Sequence, residues 1–370
     1  MPPVTNPGPI HSSPLKGTQI RILALQPGQN HERLVCYLRT VDLGDNNLPY
    51  EAISYVWGSQ ETPATIICRN DLNHEYTQLS IPKNVVDALE ALREPQSERL
   101  IWTDSVCISQ TSIEEKSAQV AMMDSIFANA TAVIVWLGFG NDTMVIAAEE
   151  LFDRMAIWCG EATPGMLRDA IQPDRSHGNW NHPRYTDIDV EILLNVFECE
   201  WVWRLWCVQE VVLAKKALVY WAKIRTTWEI FSTIAIYIQA KRQDIIARIG
   251  LAGVYNVTML ESFRRQLAES PRVPLSCPLR LKGIHAIASS RRPLPFSRLL
   301  SLTRMHGVTD LRDRVFSLSW VWIVFCATCQ LVERQKLHHL LLYQITHKRS
   351  EICTYRPLRS YYAERKAFTF

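Results

Sequence analysis

Two short apolar runs in the middle of the chain constrain its fold more than any other feature. They cover Leu100–Trp102 and Ala132–Leu137, and each suits a buried strand but is too short for a helix. Between them, Ser112 and Glu115 form a helix-start signature that is followed by apolar residues at helical spacing. Two strands joined through a helix are typically parallel, because the helix carries the chain back to the starting edge. The sequence therefore predicts a βαβ unit and an α/β fold with a parallel sheet.

Further strands and helices surround this unit. Short β-rich runs in the N-terminal part favour a meander of hairpins, and they lie at about Gln19–Leu25, Arg33–Val41, Tyr50–Val56 and Thr65–Cys68. After the βαβ unit we expect a polar loop insertion, a tryptophan-rich helix, one more strand and a long amphipathic helix. Their approximate ranges are Gly160–Tyr185, Trp203–Ala214, Ala217–Trp221 and Trp228–Ile249.

Charge and composition exclude two classes of function. The chain has 40 Lys and Arg against 37 Asp and Glu, which gives a formal charge of +3, and 47% of its residues are hydrophobic. A chain so close to neutral lacks the basic field that nucleic acid or an anionic membrane surface requires, and it is too apolar to be disordered. We therefore expect a globular protein with no nucleic-acid partner.

The cysteines and the N-terminal segment indicate a cytoplasmic protein. Ten cysteines are scattered through apolar stretches, and a chain of 370 residues does not need disulfide bonds to fold. Met1–Lys16 is rich in Pro, Ser and Gly and has no apolar run of the kind found in signal peptides. We expect reduced thiols, a disordered segment over residues 1–18 and a cytoplasmic location.

One segment raises the question of a membrane span. Residues 315–332 carry no charge, and their length is at the lower limit for crossing a bilayer. A buried core helix is favoured over a membrane helix because four polar residues interrupt the run: Ser317, Ser319, Thr328 and Gln330. Cys326 and Cys329 in this segment lack a second pair of ligands at zinc-site spacing, so we expect no metal site.

Three blocks of sequence together resemble the fungal heterokaryon-incompatibility (HET) domain family. They are YEAISYVWG at Tyr50–Gly58, LIWTDSVCISQ at Leu100–Gln110 with its continuation to Gly138, and WRLWCVQEVVLA at Trp203–Ala214. The resemblance implies an effector role in fungal non-self recognition and programmed cell death.

The same resemblance suggests a division of the chain. It implies a HET domain over residues 19–230, with the core motifs at 50–214. A helical extension over 231–314 and a divergent tail over 315–370 are expected to follow. The tail is set apart because the sequence after Leu318 departs from the family's usual continuation.

A second resemblance, to Toll/interleukin-receptor (TIR) domains, is shorter. It consists of a Ser-Tyr strand end, an Asp at the end of a middle strand, a helix with a buried strand, and a W-C-x-x-E helix, here Trp206 to Glu210. In the enzymatic TIR domains the Glu of that helix serves NAD cleavage. The resemblance implies a TIR-like, flavodoxin-like parallel sheet core, to which this chain adds N-terminal β-strands, a loop insertion and a helical C-terminal extension. It implies NAD as a substrate and no bound cofactor.

Glu210 is the first candidate catalytic residue. A carboxylate beside indole rings is desolvated, which raises its pKa, and the flat rings offer surfaces for a base or a pyridine ring. By analogy with glycoside hydrolysis, Glu210 would hydrogen-bond the ribose hydroxyls and stabilise an oxocarbenium-like transition state. In the alternative, it pairs with Arg204 or another cation. At 100° per residue, one face of the helix carries Leu205, Val208, Val211 and Val212, and the opposite face carries Trp203, Trp206, Cys207, Glu210 and Ala214.

Asp104 is the second candidate catalytic residue. It follows a buried strand, at the carboxyl end where open α/β sheets bind ligands. In the alternative it caps a helix or turn, a role that Ser105 or Gln110 could share. Trp57 and Gly58 end an earlier strand, where the glycine allows a turn with positive φ and the indole either lines the cleft or covers the sheet. We assign ligand binding to Trp57, Gly58, Ser105, Gln110 and Trp206, and metal binding to none.

Three functions remain open. The first is an NAD glycohydrolase that self-association or a protein partner switches on, because a constitutively active enzyme of this type would kill its host. The second is a non-catalytic TIR-like signalling or interaction module that uses Trp203 and Trp206 as an interface. The third, a membrane-active toxin, depends on residues 315–332 alone. Among these functions, only the enzyme requires Glu210 in a cleft with Asp104.

Overall fold

The fold is described from a computed structural model of the chain. The structure describes residues 10–11, 13–29, 32–43, 49–58, 63–70, 76–138, 140, 144–161, 185–222, 224–250, 252–268 and 303. Contacts divide the chain into two units between Phe325 and Cys326, and every described residue belongs to the first. Most of the expected loop insertion, about half of the expected disordered segment and the whole tail over 315–370, with its apolar run and cysteine pair, lie outside the described residues.

Nine strands of the described residues form one mixed sheet. In chain order they are β1 Gln19–Leu25, β2 Val35–Asp42, β3 Glu51–Ser54, β4 Ala64–Asn70, β5 Tyr76–Ile81, β6 Arg99–Trp102, β7 Ala132–Trp136, β8 Ala217–Trp221 and β9 Ile224–Thr227. Across the sheet the order is β5-β4-β2-β1-β6-β3-β7-β8-β9. The predicted bounds of β1 and β8 are confirmed, and β5 and β9 were missed.

Four neighbouring strands of this sheet, β6, β3, β7 and β8, form a parallel core. β3 lies between β6 and β7 and is parallel to both, and β7 is parallel to β8. If these four strands are counted along the chain, their order across the sheet is 2-1-3-4. The chain leaves the first strand toward one side of the sheet and the third toward the other, so a crevice opens between the carboxyl ends of β3 and β7. The predicted α/β class is confirmed.

The predicted meander of N-terminal hairpins is wrong. β1 pairs with β2 and with β6 in antiparallel fashion, but β2 is parallel to β4, and β3 leaves this region for the centre of the sheet. The reason lies in the composition of β3, where every residue after Glu51 is buried. A strand with no polar face is stable only where both faces of the sheet are covered, as they are in a parallel core.

Ten helices of the described residues pack around the sheet. They are α1 Lys83–Leu92, α2 Asp104–Cys107, α3 Ile113–Val120, α4 Met123–Asn129, α5 Val145–Glu161, α6 Asp187–Phe197, α7 Trp206–Val212, α8 Trp228–Lys241, α9 Gln243–Ile249 and α10 Ala252–Ala268. A short 3₁₀ helix, Glu200–Trp203, precedes α7. Nowhere in the described ranges does a helix combine the length and apolarity that a bilayer span requires.

Three helices predicted as continuous are interrupted. The helix after Ser112 divides into α3 and α4, and the tryptophan-rich helix divides into the 3₁₀ helix and α7. The long helix from Trp228 divides into α8 and α9 at Arg242, whose φ of −122° and ψ of 63° are not helical. There the guanidinium binds the Asp244 carboxylate at 2.6 and 2.9 Å, which holds the bend.

The start of α3 is tied to the sheet by a buried ion pair. Ser112 Oγ accepts from the Glu115 backbone N–H at 3.2 Å, as the helix-start signature predicts. The Glu115 carboxylate binds the Arg21 guanidinium on β1 at 2.6 and 3.0 Å and also accepts from Ser109 N–H. These contacts fix the segment that follows β6, which carries Asp104.

Candidate functional site

Asp104 and Glu210 line one cleft at the carboxyl ends of β3 and β6. Asp104 begins α2 directly after β6, and Glu210 is on α7, which packs between α4 and α10. We call this space the Glu210 cleft; the residues that line it are Ile53, Tyr55, Trp102, Asp104, Met123, Phe127, Arg204 and Glu210. The structure thus brings together the two side chains expected to be catalytic.

Glu210 is held by a buried chain of hydrogen bonds that begins on β3. Its Oε2 accepts from the hydroxyl of Ser54, and Ser54 Oγ accepts from Trp201 Nε1 at 2.7 Å. All three residues are at most 4% exposed. Burial raises the pKa of Glu210, and the charge of Arg204 and the Ser54 hydrogen bond partly offset that rise. The predicted direction of the shift is confirmed.

The helix around Glu210 is buried on both of the faces predicted from the sequence. All residues from Cys207 to Val212 are buried, so α7 has no open face. The neighbouring elements explain this, since α10 covers the helix and Arg264 Nη1 donates to the carbonyl of Ala214 just beyond its end. Burial by the surrounding elements therefore desolvates Glu210. It also raises the pKa of the Cys207 thiol well above its usual value, which disfavours a thiolate nucleophile.

Asp104 is held by two donors from the segment that follows β3. Its Oδ1 accepts from the Tyr55 hydroxyl and its Oδ2 from Trp57 Nε1, both at 2.8 Å. Each carboxylate oxygen is therefore engaged by the protein. Asp104 joins the end of β3 to the start of α2 and so fixes one wall of the cleft.

The residues expected to bind ligand divide into two groups. Trp57, Ser105 and Gln110 gather around Asp104: the indole of Trp57 binds its carboxylate, and Gln110 Nε2 donates to its backbone carbonyl at 2.9 Å. Ser105 is buried next to Asp104 on α2, with its Oγ 3.5 Å from the Thr103 hydroxyl. None of these three side chains lines the cleft; they lie around Asp104, which does.

Gly58 and Trp206 do not line the cleft either. Gly58 has a φ of +70°, as predicted, and a Cβ there would lie 2.7 Å from Asn84 Nδ2. Asn84 Nδ2 also donates to the carbonyl of Val56 at 3.0 Å, so this glycine and amide shape the turn after β3. Trp206 is half-buried and packs against the core.

Arg204 is a cleft residue that sequence reasoning considered only as a partner for Glu210. Its Nη1 donates to the backbone carbonyl of Tyr55. Within the described ranges it forms no ion pair with Glu210 or Asp104, although its charge lowers the pKa of Glu210. Ser54, Tyr55 and Trp102 were missed, although they stand within the sequence blocks singled out above.

The cleft is closed, and a second space lies near it. No water-sized sphere fits among the residues that line the Glu210 cleft. Next to the carboxyl ends of β3 and β7 is a cavity of about 160 Å³, which is smaller than typical pockets for drug-sized ligands, at about 300 Å³ or more. It is lined by Val56, Asn84, Trp136, Leu137, Gly138, Glu200 and Trp201. Trp201 connects the two spaces, because its indole also holds Ser54.

The described side chains offer no cluster of three His, Cys, Asp or Glu residues that could hold a metal ion. Five described cysteines are free thiols: Cys36, Cys68, Cys107, Cys199 and Cys207. The chemistry of the cleft is therefore that of two carboxylates, one guanidinium and buried aromatic rings.

Comparison with known proteins identifies the domain that holds this cleft. Residues 50–210 match the family model "Heterokaryon incompatibility protein (HET)", so the chain contains a HET domain. It is similar to the Neurospora crassa protein named "Heterokaryon incompatibility protein 6, OR allele", at 34% identity over 129 residues. The aligned part is 33% of this chain but only 19% of that relative. No solved structure matches.

Proposed function

We propose that this protein is a cytoplasmic effector of fungal non-self recognition and programmed cell death, and that its HET domain hydrolyses NAD⁺ to nicotinamide and ADP-ribose. The carrying observation is Glu210, a buried carboxylate with a raised pKa that shares a cleft with Asp104 at the carboxyl ends of parallel strands. The family match and the relative's name support the role in incompatibility. The match covers about a fifth of that relative, so the role of the whole protein is part of the proposal.

The arrangement of the strands supports a TIR-like core. The order 2-1-3-4 for the parallel strands is the order of flavodoxin-like sheets, in which ligands bind where the strand order reverses. That position lies between β3 and β7, where the cavity lined by Val56 and Trp136 is found. The Glu210 cleft adjoins it at the carboxyl ends of β3 and β6, and Ser54 at the end of β3 binds Glu210. The W-C-x-x-E segment forms α7, which brings its glutamate to this edge of the sheet.

The residues of the cleft suit cleavage of an N-glycosidic bond. In the proposed reaction the bond between C1′ of ribose and the nicotinamide nitrogen breaks, water forms a bond to C1′, and one proton is released. The carboxylate of Glu210 accepts hydrogen bonds from the ribose hydroxyls and stabilises positive charge as it develops on the sugar. A raised pKa makes this carboxylate a stronger acceptor, and the nearby charge of Arg204 helps to keep it ionised.

The closed cleft supports a switch. A dinucleotide cannot enter a space that excludes water, so the walls of the cleft must separate before catalysis. Self-association or a protein partner that binds the open form better would shift the population toward it. The resting protein would then be inactive, as a host cell requires.

The decisive experiment compares the wild type with Glu210→Gln in yeast at matched expression, with cell viability and cellular NAD measured together. The matched control is Glu229→Gln, the same change at an exposed glutamate on α8. High expression favours the self-association proposed to open the cleft, so we expect the wild type and the control to kill the cells and deplete NAD, and Glu210→Gln to do neither. Killing by Glu210→Gln with NAD intact would exclude the catalytic mechanism.

The closed cleft also favours a second candidate, a non-catalytic TIR-like signalling module. In that case Glu210 is a structural residue that holds α7 to β3 through Ser54. The half-buried Trp203 and Trp206 would then contact a partner. Cell death by Glu210→Gln that is lost in the double variant Trp203→Ala, Trp206→Ala would support this candidate.

A further inference from the structure

Arg204 provides the positive charge in the Glu210 cleft. Of the eight side chains that line the cleft, it alone is cationic. Two carboxylates line the same space, yet within the described ranges neither forms an ion pair with it. Its hydrogen-bond acceptor is instead the neutral backbone carbonyl of Tyr55. The guanidinium therefore lines the cleft without a direct ion pair to either carboxylate, although its charge acts on Glu210.

A phosphate group is the ligand that this arrangement suits best. A guanidinium presents five N–H donors in a planar fork that matches two phosphate oxygens, and a bidentate bond between two ionised groups is stronger than a single bond to a neutral carbonyl. The carboxyl end of β3, where Tyr55 lies, is also where open α/β sheets bind nucleotides.

A second donor in the same cleft has no acceptor among the described residues. Trp102 lines the cleft and is 1% exposed, and its indole Nε1–H has no acceptor in the part of the chain that the structure describes. A buried donor without an acceptor is costly, and an oxygen-rich ligand would satisfy it. Its position in a cleft with a guanidinium favours a ligand that presents several acceptor oxygens.

We infer that Arg204 is the phosphate-binding residue of the Glu210 cleft, and that a nucleoside diphosphate group takes the guanidinium from the Tyr55 carbonyl. This inference rests on the proposed function, and it assigns the diphosphate of the dinucleotide to Arg204 and its ribose to Glu210. In the closed cleft the guanidinium of Arg204 donates a hydrogen bond to the Tyr55 carbonyl. Binding of the diphosphate removes that contact, so ligand binding and opening of the cleft become one event.

The test is calorimetric titration of the purified full chain with ADP and with adenosine, neither of which contains the bond to be hydrolysed. We expect the wild type to bind ADP at least about tenfold more tightly than adenosine, because a guanidinium–phosphate pair contributes about 1.5–3 kcal/mol. Arg204→Gln should bind the two ligands equally. Arg204→Lys should keep part of the preference, since lysine retains the charge but loses the planar fork.

The control is Arg248→Gln, which removes an exposed arginine that pairs with Asp187 on the surface. It should keep the preference of the wild type. If the wild type binds ADP no better than adenosine, or if Arg204→Gln retains the preference while Arg204→Lys behaves like the wild type, the inference is wrong. Glu210 is unchanged in these titrations, so a preference that depends on Arg204 would stand even if NAD⁺ hydrolysis were not observed.

Discussion

The two carboxylates of the cleft differ in how fully the protein compensates them. Asp104 accepts one hydrogen bond on each oxygen, from Tyr55 and from Trp57. Glu210 is more deeply placed, yet its hydrogen-bond donor among the described residues is a single hydroxyl, that of Ser54. Burial dominates its electrostatics and raises its pKa. The difference indicates that Asp104 is held in place by the fold, whereas Glu210 retains the capacity to accept further hydrogen bonds.

Because of this contrast, substitutions of Asp104 and Glu210 should change the free energy of unfolding by different amounts. Removing a fully bonded carboxylate leaves donors without acceptors, so it lowers the stability of the fold. Replacing an under-compensated, buried carboxylate with an isosteric amide removes a charge that the fold holds at a cost. Active sites commonly contain such a group, an ionisable side chain whose pKa is shifted because its surroundings stabilise the charged form poorly.

The largest expected effect on stability is that of Ser54→Ala. The hydroxyl accepts from Trp201 and donates to Glu210, and its removal leaves two buried groups without partners. Each costs about 1–3 kcal/mol, so we expect a loss of about 3 kcal/mol in the free energy of unfolding. Urea denaturation at pH 7 measures it. Ser117→Ala, on α3, is the control. A loss below about 1 kcal/mol for Ser54→Ala would contradict the buried chain of hydrogen bonds from Trp201 through Ser54 to Glu210.

Asp104→Asn should cost about 2 kcal/mol. The amide nitrogen of asparagine cannot accept, so one of the two donors, Tyr55 or Trp57, loses its acceptor and faces another N–H group. The free energy of unfolding from urea titration is again the measurement. Glu210→Gln in the same experiment should change stability by less than about 1 kcal/mol. Equal losses for both variants would remove the distinction between the two carboxylates.

The stability contribution of Glu210 should depend on pH. Its pKa in the folded protein lies above its value in the unfolded chain, about 4.3, so the folded state binds the proton more tightly. This contribution is complete below about pH 4 and is lost as the pH rises through the folded pKa, by about 1.4 kcal/mol for each unit of the shift.

Glu210→Gln removes this titration. Between pH 4.5 and pH 8 the variant should therefore lose less stability than the wild type, whereas Glu229→Gln at an exposed position should follow the wild type. Thermal unfolding at the two pH values measures the difference. A steeper loss for Glu210→Gln would mean that the carboxylate is stabilised in its ionised form.

Tyr55→Phe should have the smallest effect, about 1 kcal/mol. It deletes one hydrogen bond to Asp104 and leaves the bond from Trp57 and the buried ring in place. Because the carboxylate keeps one donor, we expect its position to be maintained and the double variant with Trp57→Phe to lose more than the sum of the single changes. Urea denaturation of the two single variants and the double variant measures this coupling, and strict additivity would contradict a shared role in holding Asp104.

Much of the local structure could be predicted from the sequence. The bounds of β8 follow from an unbroken apolar run, those of β1 from a β-rich run between Gly17 and Pro27, and the start of α3 from Ser112. Errors arose where tertiary contacts override local pattern. The edge strands β5 and β9 have mixed burial that resembles loops, and at the bend the guanidinium of Arg242 lies over the ring of Tyr185, which is far away in the sequence.

The sequence by itself determined that this is an α/β protein with a glutamate in a tryptophan-rich helix and an aspartate at the end of a strand. Only the tertiary structure decided which of the two carboxylates has fewer hydrogen-bond donors. Ser54 and Glu210 are 156 positions apart, and no local pattern can pair groups at that separation. The state of the cleft was decided in the same way, since Arg204 reaches the carbonyl of Tyr55 from across the sheet edge. Periodicity reports which face a residue occupies, whereas partners, desolvation and enclosed space arise only when distant elements pack together.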